Sequence, residues 1–149
     1  EKPVREQRCG SPAPAIGDYG PNPLVVNIRC LAEQTPYFRT ALWTGRYMQI
    51  TLMCIPPRGE IGLEMHPDVD QLLRVEAGCG LVMMGEGPEA LYCRQAVDAG
   101  YGIVIPAGTW HNLVNTGCDP LKLVSVYAPP QHPFGTVHKT KADADAWET

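Results

Sequence analysis

Charge is scarce in this chain and never gathers. Asp, Glu, Lys and Arg make up 19% of the 149 residues, the net charge is -4, and neither Lys nor Arg forms a cluster. A surface that grips nucleic acid or an anionic membrane needs such a cluster, so neither is expected as a partner. Long apolar runs are missing too. None approaches the roughly 18 residues of a membrane-spanning helix, and no secretory signal pattern is visible, although Glu1 in place of Met leaves room for a leader removed in processing. The cysteines Cys9, Cys30, Cys54, Cys79, Cys93 and Cys118 never fall as C-x-x-C and keep no regular spacing to histidine. A zinc knuckle is therefore not indicated, and this usage suits a reducing cytoplasm better than a disulfide framework. Internal repeats and low-complexity tracts are absent as well.

Residues that turn the chain are plentiful. Fifteen Gly and fifteen Pro beside 44% hydrophobic residues favour a compact fold with many turns over a helical bundle. A chain of this length makes one domain, burying about two thirds of its unfolded surface. From Leu24 onward, strand-length runs such as L-V-V-N-I, Y-M-Q-I-T-L-M-C-I, Q-L-L-R-V, G-I-V-I and L-K-L-V-S-V-Y alternate with turn signals such as P-P-R-G-E, A-G-C-G and D-A-G-Y-G. That is the rhythm of an all-β sandwich or barrel. Three regions are predicted: a Pro- and Gly-rich extended arm over 1–23, a β-barrel over 24–138, and a short C-terminal helix or tail over 139–149, where alanines alternate with charges.

Two stretches carry the chemistry. The first is E-M-H-P-D-V-D-Q, Glu64 to Gln71. In a strand, residues two apart share a face, so Glu64 and His66 project together while Leu63 and Met65 face away. Pro67 to Asp70 then supplies a turn, and Gln71 begins a returning strand that brings its amide alongside His66. Asp68 and Asp70 read as ordinary solvated turn acids. The second stretch, G-Y-G-I-V-I-P-A-G-T-W-H-N-L-V-N, Gly100 to Asn115, reads as a second hairpin turned by Pro106 and Gly108. His111 on its return strand is the natural fourth donor.

Together these stretches resemble the paired motifs of the cupins. Gly100, Pro106, Gly108, His111 and Asn115 occupy every fixed position of the second motif, G-x5-P-x-G-x2-H-x3-N. The first motif, G-x5-H-x-H-x3,4-E-x6-G, is matched more loosely. His66 falls on its second histidine and Gly78 on its last glycine, while Glu64 replaces the first histidine, Gln71 replaces the glutamate, and Gly59 stands one residue too close. The resemblance implies a jelly-roll barrel, the double-stranded β-helix of the family, with one divalent transition metal ion per chain on Glu64, His66, Gln71 and His111. The protein charge on that set is still a single carboxylate, moved across the site. Mixed nitrogen and oxygen donors suit Zn, Mn, Fe, Ni, Co or Cu. Gln71 is the weakest donor, a neutral amide that alternatively holds a bound water or substrate. Three firm ligands leave coordination positions open, as catalysis requires.

Around that centre, the strand from Tyr47 to Ile55 places Gln49, Thr51 and Met53 on one face and Met48, Ile50, Leu52 and Cys54 on the other. Small polar groups beside Met suit a ligand pocket, so Gln49, Thr51 and Met53, with Tyr127 from the last strand, are the expected substrate contacts. Either face also has the composition of packed core. The Pro-rich segment after Tyr127 should fold back over the barrel, with His132 and His138 read as packed or surface residues ahead of acid or base. The function that follows is a metalloenzyme acting on a small sugar or hydroxy or keto acid by isomerase-like Lewis-acid chemistry, with Glu64 moving the proton. A metal-dependent oxygenase or oxidase, and a non-catalytic metal or metabolite binder, are the alternatives. Pairing through sheets, common among cupins, implies a homodimer.

Overall fold

In D-Q-L-L-R-V-E-A, residues 70–77, Gln71, Leu73 and Val75 are buried while Asp70, Leu72 and Arg74 face solvent. This period-two pattern makes a strand with one covered face. It recurs through the computed structural model, which describes Ala15 and residues 17–148. Along those residues run α1 Ile28–Gln34, β1 Arg39–Thr44, β2 Gln49–Ile55, β3 Asp70–Ala77, β4 Cys79–Gly85, β5 Cys93–Asp98, β6 Gly102–Ile105, β7 Trp110–Asn115, β8 Leu121–Ala128, β9 Val137–His138 and α2 Lys141–Glu148. Six strands form one sheet in the order β6-β3-β8-β2-β1-β9, and the other three form a second in the order β5-β4-β7. Every pairing is antiparallel. The all-β, two-sheet roll expected from the sequence is therefore the observed architecture.

The two sheets close on an apolar core. Met53, Leu73 and Leu123 of the large sheet pack in one cluster with Val82, Val97 and Leu113 of the small one. A second apolar layer lies outside the large sheet, where Leu42, Leu52 and Val124 pack against Ala32 of α1 and against Tyr19, Leu24 and Val26 of the preceding segment. Strand β2 is thus covered on both sides, with Met53 0% and Leu52 5% exposed. Its alternation could not tell pocket from core for that reason. Residues 1–14 and 16 of the expected arm lie outside the described residues.

Three local expectations are corrected. L-V-V-N-I does not form a strand: Asn27 instead caps α1, its Oδ1 accepting from the Cys30 amide at 3.1 Å, and Asn at a helix start outweighs the β-propensity of the residues before it. Neither histidine stretch is a hairpin. Residues 60–64 bridge to β7 of the small sheet, at Glu60 with Val114 and Glu64 with His111, whereas β3, which begins at Asp70, pairs with β6 and β8 of the large one. The Pro67 to Val69 turn therefore carries the chain across the barrel. Likewise β6 pairs with β3 and β7 with β4, so the Pro106–Gly108 turn joins sheets and does not fold a ribbon back on itself.

The C-terminal helix is present from Lys141. Thr140 and Asp143 form a reciprocal capping box, each backbone N–H bonded to the other's side chain at 3.2 Å, and Ala144, 3% exposed, joins the main core. Cys54, Cys79, Cys93 and Cys118 carry free thiols. Cys30 is disulfide-bonded, so the thiols are not uniformly reduced as their spacing suggested.

Candidate metal centre

Glu64 and His111 face each other as a hydrogen-bonded antiparallel pair, with Glu64 N–H donating to the His111 carbonyl at 3.0 Å and His111 N–H to the Glu64 carbonyl at 2.9 Å. Directly opposed residues send their side chains to the same face. Two residues on, His66 shares that face, and its carbonyl accepts from the Gly108 amide at 2.8 Å. Gly108 sits at φ +82°, a conformation that glycine adopts without penalty. The glycine of one stretch thereby anchors the histidine of the other.

The outcome is a compact donor set. Ligand atoms of Glu64, His66 and His111 all lie within 4.8 Å of one another. Glu64 Oε1 is 3.2 Å from His111 Nε2 and 3.3 Å from His66 Nε2. His111 Nδ1 lies 2.9 Å from the Thr109 carbonyl, which can only accept, so Nδ1 carries the proton. Nε2 faces the Glu64 carboxylate at 3.2 Å, so a ring that has given up its Nε2 proton and the carboxylate can share a divalent ion, with the Thr109 contact orienting the imidazole. The approach of His66 Nε2 is close but off line, and that buried nitrogen is left without a hydrogen-bond partner. Two imidazole nitrogens and a carboxylate oxygen gathered this closely, one of the nitrogens without a well-directed hydrogen bond, fit a divalent ion. Burial pushes the Glu64 carboxyl up, yet the contacts and charges of His111 and His66 outweigh it and hold the group down at about 2.

Gln71 is the second residue of β3, on the other sheet. Its amide Nε2 donates to Ser125 Oγ at 2.9 Å, and its buried Oε1 has no partner. Register aligns Gln71, Tyr127 and Gln49 across three neighbouring strands, with Ser125 opposite Thr51 in the next row. Gln49 is fully engaged elsewhere: it donates to Thr44 and to the His132 carbonyl, and its Oε1 accepts from the His132 amide at 2.9 Å. It clamps the Pro-rich segment over the barrel end, as that segment's composition suggested. Thr51 and Met53 are 0% exposed, Thr51 Oγ1 lacking a partner and Met53 lying in the apolar core. The Tyr127 ring stands edge-on to His66 at 6.0 Å and to His132 at 5.2 Å, backing the His66 imidazole.

A cavity of about 350 Å³ opens at the donor set, lined by Glu64, Met65, His66, Gln131 and Trp147. Of the donor set it touches Glu64 and His66; His111, Gln71, Gln49, Thr51, Met53 and Tyr127 are not in its lining. Sequence reasoning missed Met65, Gln131 and Trp147; the one available signal was an apolar indole in an otherwise small and charged tail helix. His132 and His138 are buried at 5% and 6% exposure, as packed residues. Burial and the nearby Arg39 guanidinium push His132 down to about 3, and the same causes lower His138.

The cupin-domain family matches residues 51–127, more than half of the chain and the whole span that carries the donor set. The chain is a cupin. Among similar proteins, the uncharacterized protein YrkC of Bacillus subtilis is 58% identical over 133 residues, covering 89% of this cupin and 72% of YrkC. The crystal structure of BH2720 from Bacillus halodurans is 56% identical, covers 88% of this chain and 99% of that one, and superposes with a TM-score of 0.87. KdgF from Halomonas sp. shares the fold alone, at 16% identity and a TM-score of 0.56 over 62% of this cupin and 80% of KdgF. Among the described residues no helix is long and apolar enough to cross a membrane.

Proposed function

We propose that this cupin is a mononuclear metalloenzyme that takes a small oxygen-rich substrate, a hydroxy or keto acid or a sugar, at an ion held by Glu64, His66 and His111. The observation that carries the reading is the His111 ring, whose Nδ1 proton is committed to the Thr109 carbonyl while Nε2 faces the Glu64 carboxylate at 3.2 Å. A divalent transition ion there supplies Lewis acidity and open positions for substrate. The chain's own residues do the rest. Tyr127 backs His66, Gln71 offers an unpartnered amide oxygen to a bound water or substrate hydroxyl, and Met65 and Trp147 give the cavity an apolar wall.

Of the two reactions, oxidation by an oxygenase or oxidase is favoured over isomerisation. Two imidazoles and one carboxylate with open positions are the donor set of non-haem iron oxygenases. Isomerisation needs a base, and among the described residues the one acid lining the cavity is Glu64, whose Oε1 is shared between both imidazoles. Elemental analysis of native protein beside Glu64→Ala and His111→Ala is the test of the centre, with about one ion per chain expected in the native protein and little in either variant. Unchanged metal in both variants defeats the ligand assignment. Oxygen uptake by the iron-loaded protein with hydroxy and keto acids, against aldose–ketose interconversion by the zinc- or manganese-loaded form, decides the reaction. The protein works as a homodimer in this reading, and light scattering on eluting protein that gives a monomer mass at micromolar concentration rejects that part.

A further inference from the structure

One wall of the cavity comes from beyond the segment that matches the cupin family. That match ends at Tyr127, whereas Gln131 and Trp147 both line the cavity beside Glu64 and His66. Trp147 lies in α2, and its mount is firm. The indole sits 5.1 Å from the His132 ring and 5.9 Å from the His138 ring, tilted 54° and 43° against them. Both histidines are buried and held, His132 by the bonds of its backbone N–H and carbonyl to Gln49 and His138 by the Arg39 guanidinium at 3.1 Å from its Nδ1. Beneath the indole, Ala144 buries α2 in the core, and Lys141 pairs with Asp145 at 2.8 Å on the same helix.

Despite that mount Trp147 is still 44% exposed. A fixed, half-open indole sharing the cavity wall with Met65, with no basic residue among the described lining residues, is a flat apolar surface beside Glu64 and His66 of the donor set. We propose that Trp147 is the specificity-determining wall of this site and that it receives the aryl or conjugated part of a hydroxy or keto acid. This rests on the metal reading above and narrows its substrate class. The acid's oxygens lie toward Glu64, His66 and His111, and its flat group lies against the indole.

Calorimetric titration of phenylglyoxylate and of pyruvate, an aryl and an alkyl keto acid, tests the wall on wild type, Trp147→Phe and Trp147→Ala. Each protein is measured zinc-loaded and after chelator treatment, with metal content determined in parallel. Wild type should prefer the aryl acid by roughly tenfold, the size expected for an aromatic stacking contact. Trp147→Phe should keep most of that preference and Trp147→Ala lose it, with equal zinc content in all three. An unchanged ratio in Trp147→Ala overturns the proposal, as does absence of binding by either acid. Failure of wild type to take up zinc sinks the metal reading alone, because the aryl preference is still read on the metal-free protein and falls or stands with Trp147.

Discussion

His132 shows how a single side chain ties this fold to pH. It is 5% exposed, both ring nitrogens lack hydrogen-bond partners, and burial together with Arg39, His138 and His66 opposes its protonation while Glu64 favours it. The folded protein therefore holds the ring neutral down to about pH 3, whereas in the unfolded chain it takes a proton near its ordinary value of 6.5. Between those limits the unfolded state binds the extra proton, so stability is full above pH 6.5 and declines as the pH falls through the window. The contribution of such a buried group is a few kcal/mol. Melting temperature should drop steadily from pH 7 to pH 4, and His132→Phe, which keeps a ring between Tyr127 and Trp147, should flatten that slope. Equal slopes in the two proteins would show that His132 is not the group responsible. Glu64 works in a lower window. Its depressed value of about 2, against an ordinary 4.5, adds stability above pH 4.5 that is lost only as the pH falls toward 2, so the two groups separate along one titration.

Turns and caps set the donor geometry at the next scale. Gly108 is at φ +82°, with nothing within 4 Å of where a Cβ would stand, so Gly108→Ala meets no clash and suffers only the left-handed backbone conformation. That costs about 1 kcal/mol. Because the same amide holds the His66 carbonyl, metal affinity in Gly108→Ala should fall severalfold along with chemical-denaturation stability. Stability loss without a change in metal affinity would mean that His66 is positioned by other contacts. At the far end, Thr140→Ala removes one half of the α2 capping box and should cost about 1 kcal/mol locally, read as faster amide exchange over residues 141–148 with the barrel amides unchanged. These elements also mark how far the sequence could be read. Pro106, Gly108 and His111 announced a turn and a donor because backbone geometry restricts which residues stand there. They could not reveal that β6 and β7 belong to different sheets, since a turn residue specifies a local reversal and leaves open which strand receives the chain. For the same reason the sequence read Gln71 as starting a strand that returns beside His66, whereas its pairing places it in the large sheet, next to Tyr127. Strand periodicity exposed the buried faces of β2 and β8, but burial inside the roll proved distinct from lining the cavity. The indole of α2 reaches the site through tertiary packing, and K-A-D-A-D-A-W-E marks it as an out-of-place apolar ring without saying what it packs against.

For the molecule as a whole, the donor set sits where the two halves of the chain meet. Glu64 and His66 belong to the segment that crosses from the small sheet to the large one, and His111 belongs to β7 of the small sheet. An ion shared by these residues ties that crossing segment to β7, adding to backbone hydrogen bonds at Gly59, Ile61 and Glu64 with Asn115, Leu113 and His111. Binding to the folded state alone stabilises it by about 4 kcal/mol when free metal is 1,000 times its dissociation constant. For a chain of about 150 residues each kcal/mol moves the midpoint by roughly 2–4 °C, so removing the metal should lower the melting temperature by on the order of 10 °C. The shift should vanish in Glu64→Ala, whose own melting temperature should resemble that of the chelated wild type, because the variant has lost the ligand that balances the ion's charge. Scanning calorimetry on native, chelated and zinc-restored protein measures it. A wild type whose melting temperature is indifferent to chelator and to added zinc would mean that no ion bridges these elements, and Glu64, His66 and His111 would then be a hydrogen-bonded cluster within the barrel.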